Sequence, residues 1–173
     1  YVPAEEAGVM TVQMDDDDYD LAAESIAREM MSSGLPKGFV VALGPVDTRN
    51  CKYDVQVATL QKKLQVIFSK QGDLKFMAAV DAMAGGSASQ EIYKLIEFNF
   101  FRNNPADKDE LQKFGKLAKV NGILFGRVSC LERPFPGLSR GKEVTYTFVW
   151  ELANTETGIS EISYEKKIRK NVR

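Results

Sequence analysis

Between residues 143 and 152 the chain alternates without a break. Val144, Tyr146, Phe148, Trp150 and Leu152 are interleaved with Glu143, Thr145, Thr147, Val149 and Glu151. A period of two is the period of a β-strand, and a face this apolar must be covered. A lone hairpin does not cover it, so the run calls for a sheet of three or more strands with something packed on one side. The flanks supply two strands. Gly122–Leu131 precedes the run. Ile162, Tyr164 and Ile168 follow the turn Asn154-Thr155-Glu156-Thr157-Gly158 and fall on one side of a third strand. The last third thus reads as a meander. Its tail carries Lys166, Lys167, Arg169, Lys170 and Arg173, as expected of a solvated edge strand guarded by basic side chains.

The upstream part reads as strands alternating with helices. Met10, Val12 and Met14 alternate with polar residues and suggest a short edge strand. Asp15 to Asp18 then opens a helix, because carboxylates near a helix N-terminus cap free N–H groups and suit the dipole. Tyr19, Ala22, Ala23, Ile26 and Met30 form its inner face, and Gly34 and Pro36 end it. Phe39–Leu43, bounded by Gly38 and Gly44-Pro45, reads as a central strand buried on both faces, followed by a loop over Val46–Cys51. A second helix covers roughly Asp54–Gln71, and Leu74, Phe76, Ala78 and Val80 alternate as a second strand. Strand, helix and strand in this order imply a right-handed crossover and a parallel pair. Asp81–Ser89, rich in small residues, reads as a flexible loop. It lacks the Lys-Ser or Lys-Thr and the glycine spacing of a phosphate loop. Glu91–Phe101 is a third helix, apolar on more than one side. A fourth starts at Asp107 or Asp109, with Leu111, Phe114, Leu117 and Ala118 inward. The expected fold is one α/β domain with a mixed sheet of about five strands flanked by about four helices. Residues 1–14 form an acidic extended lead-in, and residues 15–173 form the globular domain.

Composition narrows the chemistry. The 173 residues contain no histidine and two cysteines, Cys51 and Cys130. Histidine is the usual general base near neutral pH and the commonest metal ligand. Without it, Ser-His-Asp and Cys-His arrangements and most zinc sites are ruled out. The cysteines form no CxxC pair, and both a bridge between them and two separate buried thiols fit the sequence. The net charge of −1 conceals a split: residues 1–20 hold seven acidic and no basic side chains, and the remainder is mildly basic. That is too weak a basic excess for a nucleic-acid binder. No run of apolar residues is long enough to span a bilayer as a helix. The sequence begins at Tyr1 with no signal-peptide pattern after it, as expected of a processed or truncated chain. The reading is a non-catalytic binding domain that needs no metal or cofactor and takes no small-molecule substrate.

The best candidate site is Glu132–Lys142, expected as a hairpin loop of about eleven residues, because long ordered loops are often functional. Phe135 and Leu138 sit there among prolines and a glycine, with Arg133, Arg140 and Lys142 around them. Apolar anchors with an arginine rim suit a protein-docking site, and Pro134 and Pro136 would limit the entropy lost on binding. The competing expectation folds Phe135 back onto its own domain.

Several ordered strings carry a family resemblance. Phe114-Gly115-Lys116-Leu117-Ala118-Lys119-Val120-Asn121-Gly122-Ile123-Leu124-Phe125-Gly126 is similar to the family's helix-to-strand junction, and Val144–Gly158 to its strand and turn before the last strand. With Phe39–Asn50, the helix from Asp54 and Lys75–Asp81, they resemble the LpoB family of penicillin-binding protein activators over roughly residues 15–170. The resemblance implies a fold like the N-terminal domain of TolB. It also implies a lipoprotein on the periplasmic face of the outer membrane, held by a lipid anchor outside this chain, that docks on and stimulates a bifunctional peptidoglycan synthase. The matching strings are structural, so no binding residue is carried over. A second reading is another envelope lipoprotein of the superfamily with a curli-secretion-like assembly role. A third is a glycan hydrolase working through paired carboxylates.

Overall fold

The computed structural model describes residues 12–71, 74–77, 86–134 and 141–172. Four helices are described: α1 (Asp16–Ser32), α2 (Val57–Gln71), α3 (Ser87–Phe101) and α4 (Lys108–Ala118). Five strands form one sheet: β1 (Val40–Asn50), β2 (Lys75–Met77), β3 (Gly122–Pro134), β4 (Lys142–Asn154) and β5 (Ser160–Val172), in the order β2-β1-β3-β4-β5. β1 runs parallel to β2 and β3, and the β3–β4–β5 meander is antiparallel. This is the mixed α/β domain that the alternation and the strand–helix–strand order predict.

The aspartate run caps α1. The Asp15 carboxylate accepts from the Asp18 amide, and the Asp18 carboxylate accepts from the Asp15 amide. Lysines from two other elements pair with four carboxylates here: Lys63 of α2 reaches Asp16 and Asp20, and Lys170 of β5 reaches the capping pair Asp15 and Asp18.

Two cores lie on opposite sheet faces. α1 and α2 cover the first, where Val144, Tyr146, Phe148, Trp150 and Leu152 meet Val41, Leu43, Leu124, Val128, Ile162 and Ile168. α3 and α4 cover the second, around Tyr93, Ile96, Leu111, Phe114, Ile123, Phe125 and Ala153. Trp150 lies opposite Gly126 in the β3–β4 register, and a Cβ at Gly126 would stand 2.8 Å from the indole ring. Only glycine leaves room for the tryptophan there.

The structure corrects several boundaries. β1 does not stop at Gly44-Pro45 but runs to Asn50, absorbing most of the expected loop. Proline falls at a register shift against β3, between Leu43 and Val46, where the regular ladder is interrupted. The shift also exchanges faces. Before it Ala42 faces the α3–α4 core, and after it Val46 packs on the first core while Asp47 turns toward α3. α2 begins at Val57, not Asp54, and α3 at Ser87, so the end of the expected loop is helix. Positions 78–85, which include the rest of that loop and Ala78 and Val80, lie outside the described residues. Leu117 is 43% exposed. The buried stripe of α4 is Leu111, Phe114, Gly115 and Ala118, and Leu117 is rotated about 100° from Ala118, off its edge. Val12 and Met14 are in no strand but are buried in the first core; Met10 lies outside the described residues.

Candidate docking surface

The β3–β4 ladder extends into the stretch expected as a loop, to the pairs Arg133↔Glu143 and Pro134↔Lys142, leaving 135–141 between the strand ends. Phe135, Leu138 and Arg140 lie outside the described residues. Arg133 and Lys142 are described, and the two-residue period turns them to opposite sheet faces. Arg133 donates from Nε to Glu143 Oε1 at 2.7 Å on the face away from α1 and α2. Lys142 lies on the other face, donating to the Tyr53 hydroxyl at 3.3 Å with its ammonium 3.6 Å from Glu132. The two basic residues therefore do not form one rim, and each already has an acidic partner.

Glu132 is the hub beneath the hairpin. Lys52 and the Tyr53 hydroxyl both donate to its carboxylate, and Lys142 stands nearby. The Cys51–Cys130 disulfide brings them there, joining the end of β1 to β3 with a Cα–Cα distance of 4.6 Å. The Lys52 hydrogen bond, then that of Tyr53, pulls the Glu132 pKa down to about 2. A depressed carboxylate pKa contributes stability that is fully present above the unfolded value near 4.5 and is lost as pH falls through about 2. In an NMR titration of side-chain carboxyls, Glu132 should show a midpoint near 2. A midpoint at the ordinary glutamate value would show that the cluster does not form in solution.

A second network fixes the C-terminal end of α3. Asp47 is buried, and it accepts from Arg49 Nε at 3.0 Å, from Arg49 Nη2 at 2.8 Å and from Arg127 Nη1 at 3.2 Å. The arginine hydrogen bonds hold its pKa below the usual aspartate range against the opposing effect of burial. Arg49 also donates to the Phe101 carbonyl and Arg127 to the Phe100 carbonyl, both in the last turn of the helix. Each guanidinium lies over a ring, Arg127 at 4.0 Å from the Phe100 centroid and Arg49 at 5.2 Å from that of Phe101. The sequence reading missed this network because it took Val46–Cys51 for a loop. An Asp-x-Arg pair beside a strand was the only signal.

α3 and α4 do not cover the whole of their face. Their core ends near Phe125 and Ala153, and beyond it Ser129, Leu131, Arg133, Thr145, Thr147, Val149, Lys167 and Arg169 form an open β-surface. Leu131 is 68% exposed, opposite Thr145, which in turn is paired with Arg169; Arg133 stands two residues along on the same face. An exposed apolar side chain that shares a rigid sheet face with arginines is suited to bind a protein surface. The sequence reading ended the strand at Leu131 and so did not see that its side chain stands free. α3 adds Leu95 and Phe98, both about half exposed, with Arg102 over the Phe98 ring. Among the described residues no group of three or more His, Cys, Asp or Glu is placed to hold a metal ion, and no helix is long and apolar enough to cross a membrane.

This three-layer arrangement, with a parallel β2–β1–β3 half, an antiparallel meander and helices on both faces, defines a particular class of small α/β domain. Its fold is that of the LpoB C-terminal domain. The domain from Escherichia coli matches with a TM-score of 0.53 and 11% identity, over 87% of this chain and 98% of that one. The domain from Salmonella enterica matches with a TM-score of 0.52 and 11% identity, over 84% and 93%. The NMR structure of E. coli LpoB matches with a TM-score of 0.52 and 12% identity, over 84% of this chain and 64% of that one. Comparison with protein-family models and with curated proteins finds no match.

Proposed function

We propose that this domain docks on and activates a bifunctional peptidoglycan synthase of the penicillin-binding class, without catalysis of its own. On this reading it belongs to a lipoprotein that reaches the synthase from the periplasmic face of the outer membrane. The observation that carries the reading is the open sheet face at the hairpin end, where Leu131 stands exposed on the face that also carries Arg133 and Arg169, on an LpoB-like fold. The disulfide adds support, because such bonds persist in oxidising compartments such as the periplasm. The docking site on this reading comprises Leu131, Arg133 and the hairpin residues Phe135, Leu138 and Arg140, while Lys142, turned to the opposite face, lies outside it.

Binding of the wild-type domain to the bifunctional synthase of the same organism, measured by surface plasmon resonance, provides the test. Leu131→Asp and the double variant Phe135→Ala/Arg140→Ala are each expected to weaken binding at least tenfold, about 1.4 kcal/mol, with unchanged circular dichroism. Wild-type affinity in both folded variants would move docking to the Leu95–Phe98 face of α3. Absence of binding by the wild-type domain would remove the synthase reading altogether.

A further inference from the structure

A small cavity opens where α3, its linker to α4 and the sheet meet. Its volume is about 300 Å³, at the low end of the range for ligand pockets. Ile96, Phe125 and Ala153 are buried and form its floor, beside the half-buried Phe100. Two charged groups stand on its rim, Arg127 of β3 and Glu151 of β4. Phe125 pairs with Glu151 and Arg127 with Val149, so the two are diagonal neighbours on one sheet face, within reach of each other for long side chains. They form no ion pair. Arg127 is committed elsewhere, donating to Asp47 at 3.2 Å and to the Phe100 carbonyl at 3.0 Å, with its guanidinium 4.0 Å from the Phe100 ring centroid. Those two bonds leave further N–H donors of the guanidinium unspent, since it carries five. Glu151 is exposed, lies opposite Ser163 on its β5 side, and has no hydrogen-bond or ion-pair partner among the described residues.

We propose that this cavity binds a free α-amino acid with an apolar side chain. An apolar floor carries, on one rim, spare donors and spare acceptors that do not meet each other. The ligand that satisfies both has a carboxylate and an ammonium a few bonds apart on an apolar body. Its carboxylate takes the unspent N–H groups of Arg127, its ammonium pairs with Glu151, and its side chain covers Ile96, Phe125 and Ala153. The charge balance selects the same ligand. Asp47 and Glu151 are negative and Arg49 and Arg127 positive, so the four groups around this rim cancel. A neutral rim with separated charges suits a zwitterion over an ion of either sign. No Ser, Thr, Cys or Lys side chain lines the cavity, so the amino acid is held there and not converted. The site stands apart from docking at Leu131, and either can fail without the other.

Amide NMR of the full chain, titrated with L-phenylalanine and with L-leucine, tests this. Saturable shifts are expected at Phe125, Glu151 and Ala153, with a Kd on the order of 1 mM or tighter. N-acetyl-L-phenylalanine lacks the ammonium and L-phenylalaninamide lacks the carboxylate. Each should bind at least tenfold more weakly than L-phenylalanine, the effect of losing one charged hydrogen-bonded contact. Glu151→Gln should weaken L-phenylalanine at least tenfold and leave the already weak N-acetyl compound unchanged. Glu151 is exposed and unpartnered, so this variant should keep the wild-type fold and urea midpoint. Three outcomes would each overturn the proposal. Neither amino acid gives saturable shifts around the cavity. The acetylated and amidated compounds bind as well as the parent, which would make the cavity a plain apolar pocket. Glu151→Gln binds L-phenylalanine with wild-type affinity, which would remove the carboxylate from the site.

Discussion

Replacing Trp150 with alanine is expected to lower the stability of the domain by about 3–5 kcal/mol, the usual cost of truncating a buried aromatic and leaving a cavity. Trp150 is 1% exposed and lies in the middle of the face covered by α1 and α2, its ring stacked with that of Phe148 at 6.5 Å. The space it would vacate closes poorly. Gly126 on the paired strand has no side chain to move in, and Phe148 and Leu152 on either side are themselves fully packed. In urea the m-value should stay at its wild-type level while the midpoint falls, by more than about 1 M for slopes of 1–3 kcal/mol/M. The complementary change, Gly126→Val, should also destabilise strongly, because its Cβ would press on the indole from 2.8 Å. If Trp150→Ala unfolds at the wild-type urea midpoint, this face of β4 is not the core.

Removing the disulfide should have an effect of similar size. Cys51 and Cys130 are 79 residues apart, and α2, β2, α3 and α4 all lie between them. Joining the ends of so long a loop restricts the unfolded chain, and loss of such a bridge typically costs about 2–4 kcal/mol. Cys51→Ser/Cys130→Ser should therefore unfold at lower urea than the wild type. Dithiothreitol should bring the wild type down to the variant and leave the variant unchanged. A local consequence should accompany the global one. Lys52 and Tyr53 reach Glu132 because the bridge holds their segment against β3, so in the serine variant the Glu132 pKa should rise from about 2 toward its ordinary value. Identical urea curves with and without reductant would show that the bridge adds nothing to stability.

What could be read from the sequence depended on how much of the signal was local. The β4 alternation, the capping aspartates of α1 and the order of strand, helix and strand are all short-range patterns, and the fold follows them. The two-sided burial of β1 was legible as an apolar run. Its continuation through Gly44-Pro45 was not, because the proline sits at a register shift against β3, a strand far along the chain. The candidate docking surface was legible only as composition. Arg133 and Lys142 look like members of one ring in the sequence, but their separation onto two faces depends on a register that extends to Pro134, which a loop-like string of prolines and glycine conceals. The Asp47–Arg127 contact joins residues 80 apart and leaves no mark at short range.

The position of β3 between a parallel neighbour and an antiparallel one has a consequence for the order of assembly. β3, β4 and β5 follow one another and pair as a meander, so their contacts close short loops. β1 can join β3 only by closing the long loop that holds α2, β2, α3 and α4, and distant pairings of this kind are slow to form. During synthesis α1 and β1 emerge before β3, and although α2 and β2 follow them closely, the β3 side of β1 has no partner until residue 122 and beyond. On loop-closure grounds the C-terminal meander is expected to form before β1 joins it. A nascent chain stopped before residue 122 has α1, α2 and β2 but lacks β3 beside Val41 and Leu43, and chaperone binding to such a chain is the expected result.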